Sequence, residues 1–232
     1  MARRKLPSTN LLWKRHEDIY VSIFFSALSE LASRKLVEGN EDVISESLCP
    51  ILRKLCFDNQ RSGFGEIRTP VWEAPIQPVN EDELNNGNQK RPDFTCSLYN
   101  SCADSPEELE IPFHVECKLL GEPTSPSWNL CKNYTTNGIA RFDNTTHAYG
   151  ERASSGVMIG YIISMTPKTV LKNINQYKRQ EMKQVPDIVF RWVRETFVWK
   201  SRNAFNRAHV QPMEFCLTHI WVNLNHNYKK KP

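Results

Sequence analysis

The seven cysteines of this 232-residue chain include no Cys-x-x-Cys pair, and their number is odd. That disfavours a disulfide framework and a zinc ribbon; small core thiols in a reducing cytoplasm fit better. No cysteine and histidine spacing matches a zinc site. Glycine is scarce, at nine residues, and none of it builds a phosphate loop of Walker type, which excludes ATP hydrolysis by that route. A Gly-x-Ser-x-Gly elbow is missing as well, so nothing supports a serine hydrolase. The most apolar run, Ile19 to Leu31, is interrupted by Ser22, Ser26, Ser29 and Glu30. It is too short and too polar to span a bilayer. The basic start, Met1 to Lys5, is followed by no apolar core with a cleavage site, so a secretory signal is not expected. The chain shows neither a repeat nor a long low-complexity tract.

What is present is ordinary for a globular protein: 40% hydrophobic residues and 24% charged. A net charge of +4 and a pI near 8.6 permit a polyanionic partner without requiring one. No boundary divides residues 1–232, and the length suits one generous domain. The patterning predicts N-terminal helices over about 12–57. The first carries an apolar stripe through Ile19, Ile23, Phe24, Ala27, Leu28 and Leu31. The second carries Ile44, Leu48, Ile51 and Leu52, with a kink expected at Pro50. Strands are expected over 66–73, 93–99, 111–120, 156–164 and 214–223. Helices are expected over 128–142, 167–184 and 189–197, and Lys229 to Pro232 reads as a loose basic tail. This order gives an α/β class, a mixed sheet with helices on its faces.

The informative stretch is Ile111 to Leu120. Strand alternation puts Phe113, Val115, Cys117 and Leu119 on one face and His114, Glu116 and Lys118 on the other. Upstream, Asp93 opens a strand whose polar face continues through Thr95 and Ser97. If like faces pair, Asp93 and Glu116 converge beside Lys118. Two carboxylates and a lysine at a sheet edge suit a hard divalent cation and a phosphate ester. The chain contains its own decoys, Glu181 with Lys183 and Pro186 with Asp187. Glu181 and Lys183 fail because positions two apart on a helix point to different faces, and their Pro-Asp follows them instead of preceding them on a neighbouring strand.

Pro92-Asp93 followed by Glu116-Cys117-Lys118 resembles the PD-(D/E)XK nuclease superfamily, the restriction-endonuclease-like proteins. The run from Asn133 to Phe142, then Tyr149, then Val157 to Tyr161, resembles restriction-like effectors of bacterial defence systems. The resemblance implies a restriction-endonuclease-like sheet flanked by helices. It implies Mg2+ or Mn2+ held by Asp93, Glu116 and the main-chain carbonyl of Cys117, with Lys118 orienting or deprotonating the attacking water. Some relatives add an acid from an N-terminal helix, which makes Glu41 a further candidate; its plainer role is an acid at a helix N-terminus. The implied partner is nucleic acid, with double-stranded DNA preferred. A homodimer, or a sensor or ATPase partner, would supply specificity, and no membrane is involved.

His114, Tyr134, Arg141 and Gln176 are candidate nucleic-acid contacts, with Arg141 on a phosphate, each against an ordinary packing or surface role. Lys172, Lys178, Arg179 and Lys183 are candidate backbone contacts or a solvated helix face. Two alternatives to a nuclease stay open: a member of the same fold that binds or scaffolds without cutting, and a metal-dependent phosphatase of another fold.

Overall fold

Two helices open the chain in the computed structural model, which describes residues 9–61, 67–78, 90–100, 103–147, 149–193 and 195–230. Helix α1 spans Thr9–Ser33. Strand β1, Val37–Glu38, leads into helix α2, Glu41–Arg61. Asn40 starts α2 by accepting the Val43 N–H on its side-chain oxygen at 3.0 Å, as an N-cap does. The helix runs through Pro50. Short strands follow: β2 (Val71–Trp72), β3 (Phe94–Thr95), β4 (Leu98–Tyr99) and β5 (Glu110–Ile111). Then come β6 (His114–Leu120), helix α3 (Leu130–Thr136), β7 (Ser155–Ile162) and helix α4 (Pro167–Glu181). Strands β8 (Val198–Asn206), β9 (Glu214–Asn223) and β10 (Tyr228–Lys229) complete the chain.

Six of these strands form one mixed sheet in the order β2-β3-β6-β7-β9-β8. The β6–β7 and β7–β9 pairs are parallel; the others are antiparallel. One face carries Val115, Cys117, Val157, Ile159, Tyr161, Ile220 and Val222 against the apolar sides of α1 and α2. The opposite face carries Met158, Ile162, Leu217 and Trp221 against α3 and α4. Every residue of β7 is buried, as a central parallel strand covered on both sides requires. The α/β class and the mixed sheet are therefore as expected. Among the described residues no helix is long and apolar enough to cross a membrane.

Several boundaries differ from the sequence-based expectation. The strand expected over 111–120 is two strands, because Pro112 has no N–H for the ladder; β5 pairs with β4 in a separate ribbon, and only His114 onward joins the main sheet. The strand expected over 93–99 divides correspondingly into β3 and β4. Only Val71–Trp72 of the expected 66–73 strand is in the sheet, and residues 62–66 lie outside the described set. The helix expected over 128–142 stops at Thr136, and a single 3-10 turn, Ile139–Phe142, follows.

The largest difference lies at 189–197, where the described residues of an expected helix form no helix. Val189, Val193 and Phe197 stand at helical spacing yet are 72%, 54% and 46% exposed. Ile188 and Phe190 are buried instead and Trp192 partly so, a period of two. The following strand β8 was not foreseen. Lys178, a candidate phosphate contact, is buried, donating to the Val185 carbonyl at 2.6 Å and pairing with Asp187 at 2.9 Å. The basic end is not loose through Lys229, since β10 pairs in parallel with β1.

His219, in the middle of β9, is sealed beneath α3, and its Nδ1 lies 2.8 Å from the Tyr134 hydroxyl. Burial, followed by the nearby charge of Lys178, pushes its pKa down from 6.5 to about 3. Stability from keeping this imidazole neutral is complete above its ordinary pKa and is lost as pH falls toward the depressed value. By pH 5 the loss should reach about 2 kcal/mol. Urea melts across pH should show it, with a flatter profile for His219→Gln.

Candidate active site

The site forms where the pairing of β3 with β6 ends. The register couples Phe94 with Val115 and Thr95 with His114. Continuing it one step sets Asp93 opposite Glu116, as the alternation predicted. Beyond Val115 the edge of β6 has lost its β3 partner, and backbone N–H groups two residues apart point the same way. Two carboxylates take the vacant donors. Asp93 Oδ2 accepts from the Cys117 N–H at 2.5 Å, and Glu41 Oε2 accepts from the Leu119 N–H at 2.9 Å. Asp93 is held from its other side by its own carbonyl, which accepts the Glu73 N–H at 3.1 Å.

Glu41 reaches this edge because α2 is anchored one turn later. Ser45 lies in the core, its hydroxyl 3.1 Å from the Tyr161 hydroxyl of β7. Glu41 is thus more than an acid at a helix start: the structure brings it to the lysine. Lys118 Nζ lies 2.6 Å from Glu41 Oε1, 2.6 Å from Glu116 Oε1 and 2.7 Å from the Cys117 carbonyl. Arg141, from the 3-10 turn after α3, places Nη1 2.5 Å from the same Glu116 Oε1. The second oxygen of Glu116 is buried without a hydrogen-bond partner.

Three carboxylates thus surround two cationic groups, leaving an excess of negative charge in a poorly solvated place. Burial raises the Asp93 pKa well above the usual carboxylate range, and the Glu116 charge adds to it; Lys118 and the Cys117 N–H pull it back only in part. Burial likewise raises Glu116, against Lys118 and Arg141. For Lys118, burial opposes the charge, but Glu116, Glu41 and Asp93 outweigh it and raise the pKa. Its amine stays protonated at neutral pH.

The remaining sequence candidates fall elsewhere. His114 shares the strand face of Glu116 but is buried, and its Nδ1 accepts the Gly150 N–H at 3.2 Å. Burial and then the Arg152 charge lower its pKa to about 3, so it offers no positive charge to a phosphate. Tyr134 is a core residue, its hydroxyl receiving the Trp221 indole N–H at 2.9 Å. Gln176 is exposed on α4, and its neighbour Tyr177 accepts from Asn129, the cap of α3, at 3.1 Å. Arg141 holds a carboxylate in the structure, not an open groove. Tyr149, whose ring lies 5.8 Å from the Arg141 guanidinium, and the neighbouring Lys90 and His147 were not singled out as site residues. Their separation along the chain gave no signal beyond the Arg141 and Tyr149 motif.

The donors fit a hard divalent cation: carboxylate oxygens of Asp93, Glu116 and Glu41, the Cys117 carbonyl, and one buried carboxylate oxygen lacking a partner. Among the described residues no three His, Cys, Asp or Glu side chains already converge at ion-holding distance. Lys118 and Arg141 occupy the shared oxygen of Glu116, and Lys118 also engages the Cys117 carbonyl. No protein-family model matches this chain, and no curated protein or solved structure matches it at a significant level.

Proposed function

We propose that this protein is a metal-dependent nuclease of the PD-(D/E)XK type, hydrolysing phosphodiester bonds, with double-stranded DNA as the preferred substrate and bacterial defence as the setting. The single observation that carries the reading is the meeting of Asp93, Glu116 and Lys118 at one strand edge, from positions distant in the chain. Glu41 on Lys118 supports it, since the acid comes from the N-terminal helix where such relatives carry one. The mixed sheet with helices on both faces is compatible with a restriction-endonuclease-like fold.

Asp93, Glu116, Glu41 and the Cys117 carbonyl would hold Mg2+ or Mn2+. Bound there, the cation would polarise the phosphoryl group and lower the pKa of a coordinated water. Lys118 orients the attacking water and offsets charge building on the phosphate oxygens. Its three contacts fix the amine, so little reorganisation is needed as that charge develops. Asp93 keeps its orientation through the Cys117 N–H, which leaves its other oxygen for the ion.

Plasmid nicking and linearisation with Mg2+ test the reading. Cleavage should disappear with EDTA and in Glu116→Gln, while both proteins keep the same far-UV circular dichroism. DNA binding without cleavage under any divalent cation would favour the non-cutting alternative. Hydrolysis of small phosphate esters but not DNA would favour a phosphatase.

A further inference from the structure

The two oxygens of Glu116 are unequally used. Oε1 faces both Lys118 Nζ and Arg141 Nη1, while Oε2 is enclosed and lacks a hydrogen-bond partner. Arg141 Nε is enclosed and unpartnered as well. Each such atom costs free energy relative to a contact that satisfies it. The Arg141–Glu116 contact runs through Nη1, whereas a guanidinium fork is shaped to bind a phosphate through two N–H groups. The Arg141 side chain is also not sealed in, being 26% exposed. It stands beside the Tyr149 ring and near His147, whose pKa is lowered by burial and then by the charges of Arg141 and Lys90. Arg141 and Lys90 are therefore cationic groups near this side of the acid cluster.

We propose that Arg141 is a two-position gate, holding Glu116 while no polyanion is bound and moving to a phosphodiester oxygen when nucleic acid arrives, which removes one of the two cationic groups on Glu116 Oε1 and leaves that carboxylate better able to hold a divalent cation. The proposal rests on the nuclease reading and adds its regulation: cation and nucleic acid bind cooperatively. By linkage each raises the other's affinity by the same factor. In the absence of substrate the gate keeps the acid cluster poorly able to load metal, which suppresses adventitious hydrolysis.

The test is Mn2+ binding followed by electron paramagnetic resonance, with and without a short cleavage-resistant phosphorothioate duplex. Wild type should bind Mn2+ about tenfold more tightly with the duplex present. Arg141→Met should bind Mn2+ about tenfold more tightly than wild type without the duplex, and gain little on adding it. Arg141→Gln, which keeps a polar group at the position, should behave the same way should the methionine variant misfold. Coupling undiminished in both variants, or variant Mn2+ affinity no higher than wild type, overturns the gate. Cleavage by wild type together with either result sinks the gate alone. Coupling as described in a protein that cleaves no nucleic acid sinks the nuclease reading and leaves the gate. A wild type that binds no Mn2+ overturns both.

Discussion

Asp93→Asn should abolish DNA hydrolysis, by at least about a thousandfold, while raising the melting temperature of the cation-free protein. Lys118→Met should abolish hydrolysis equally and lower the melting temperature. The opposite signs follow from the site's charge balance. Asp93 is buried against the Glu116 charge, so its ionised form is disfavoured in the folded protein. Stability therefore falls as pH rises through the window between the ordinary carboxylate value and the raised one. Asparagine removes the charge and keeps an oxygen for the Cys117 N–H. A gain on the order of 1 kcal/mol corresponds to about 2–4 °C. Lys118 is the shared counter-ion of Glu41 and Glu116. Without it two partly or fully buried carboxylates face each other, a loss of about 3–5 kcal/mol. Differential scanning fluorimetry with EDTA separates the cases. Equal destabilisation by both variants would contradict the charge balance. Adding Mg2+ should then stabilise wild type more than Asp93→Asn, because only the former retains the full set of proposed ligands.

Arg207→Met should cost about 3–5 kcal/mol, the largest stability loss expected from any single replacement outside the site. Arg207 is 1% exposed, and its guanidinium is spent on backbone carbonyls. Nε donates to Pro212 at 2.9 Å; Nη1 donates to Phe142 at 3.2 Å, Tyr149 at 3.4 Å and Gly150 at 3.1 Å; Nη2 donates to Ala153 at 3.2 Å and Pro212 at 2.6 Å. The group lies 4.1 Å from the Phe215 ring centroid. Burial lowers its pKa to about 10, with Asp143 and Glu151 opposing, so it is charged at neutral pH. No other side chain offers this many donors in one plane, so lysine should not substitute. Methionine would leave buried carbonyls unpaired along 142–153, the segment that carries Tyr149 and follows Arg141. Gly150 in this segment has φ +74° and packs against Phe215 and Arg207, so its backbone cannot readily move aside. Urea melts would give the loss, and amide exchange should show residues 142–153 opening first.

Much of the site was legible in the sequence because a strand has a simple period. Alternation alone put Glu116 and Lys118 on one face and required Asp93 to be in phase with them. The N-terminal helices, the buried strand around Ile159 and the last strand followed from equally plain patterns. Elsewhere the local signal pointed the wrong way. Val189, Val193 and Phe197 imitate a helical stripe, yet Ile188 and Phe190 face the core. Pro112 divided what read as one strand, since a missing N–H outweighs a favourable pattern of side chains.

Side-chain type and spacing by themselves determined the class of the fold, the two core faces and the acids and lysine that share an edge. Only the tertiary structure decided that Glu41 reaches Lys118, that Arg141 grips Glu116, that His114, Tyr134 and Lys178 are enclosed, and that Arg207 ties a loop from within. These outcomes depend on partners tens of residues away. A charged side chain's role is set by what desolvates it and what lies opposite, and neither is written in its neighbours along the chain.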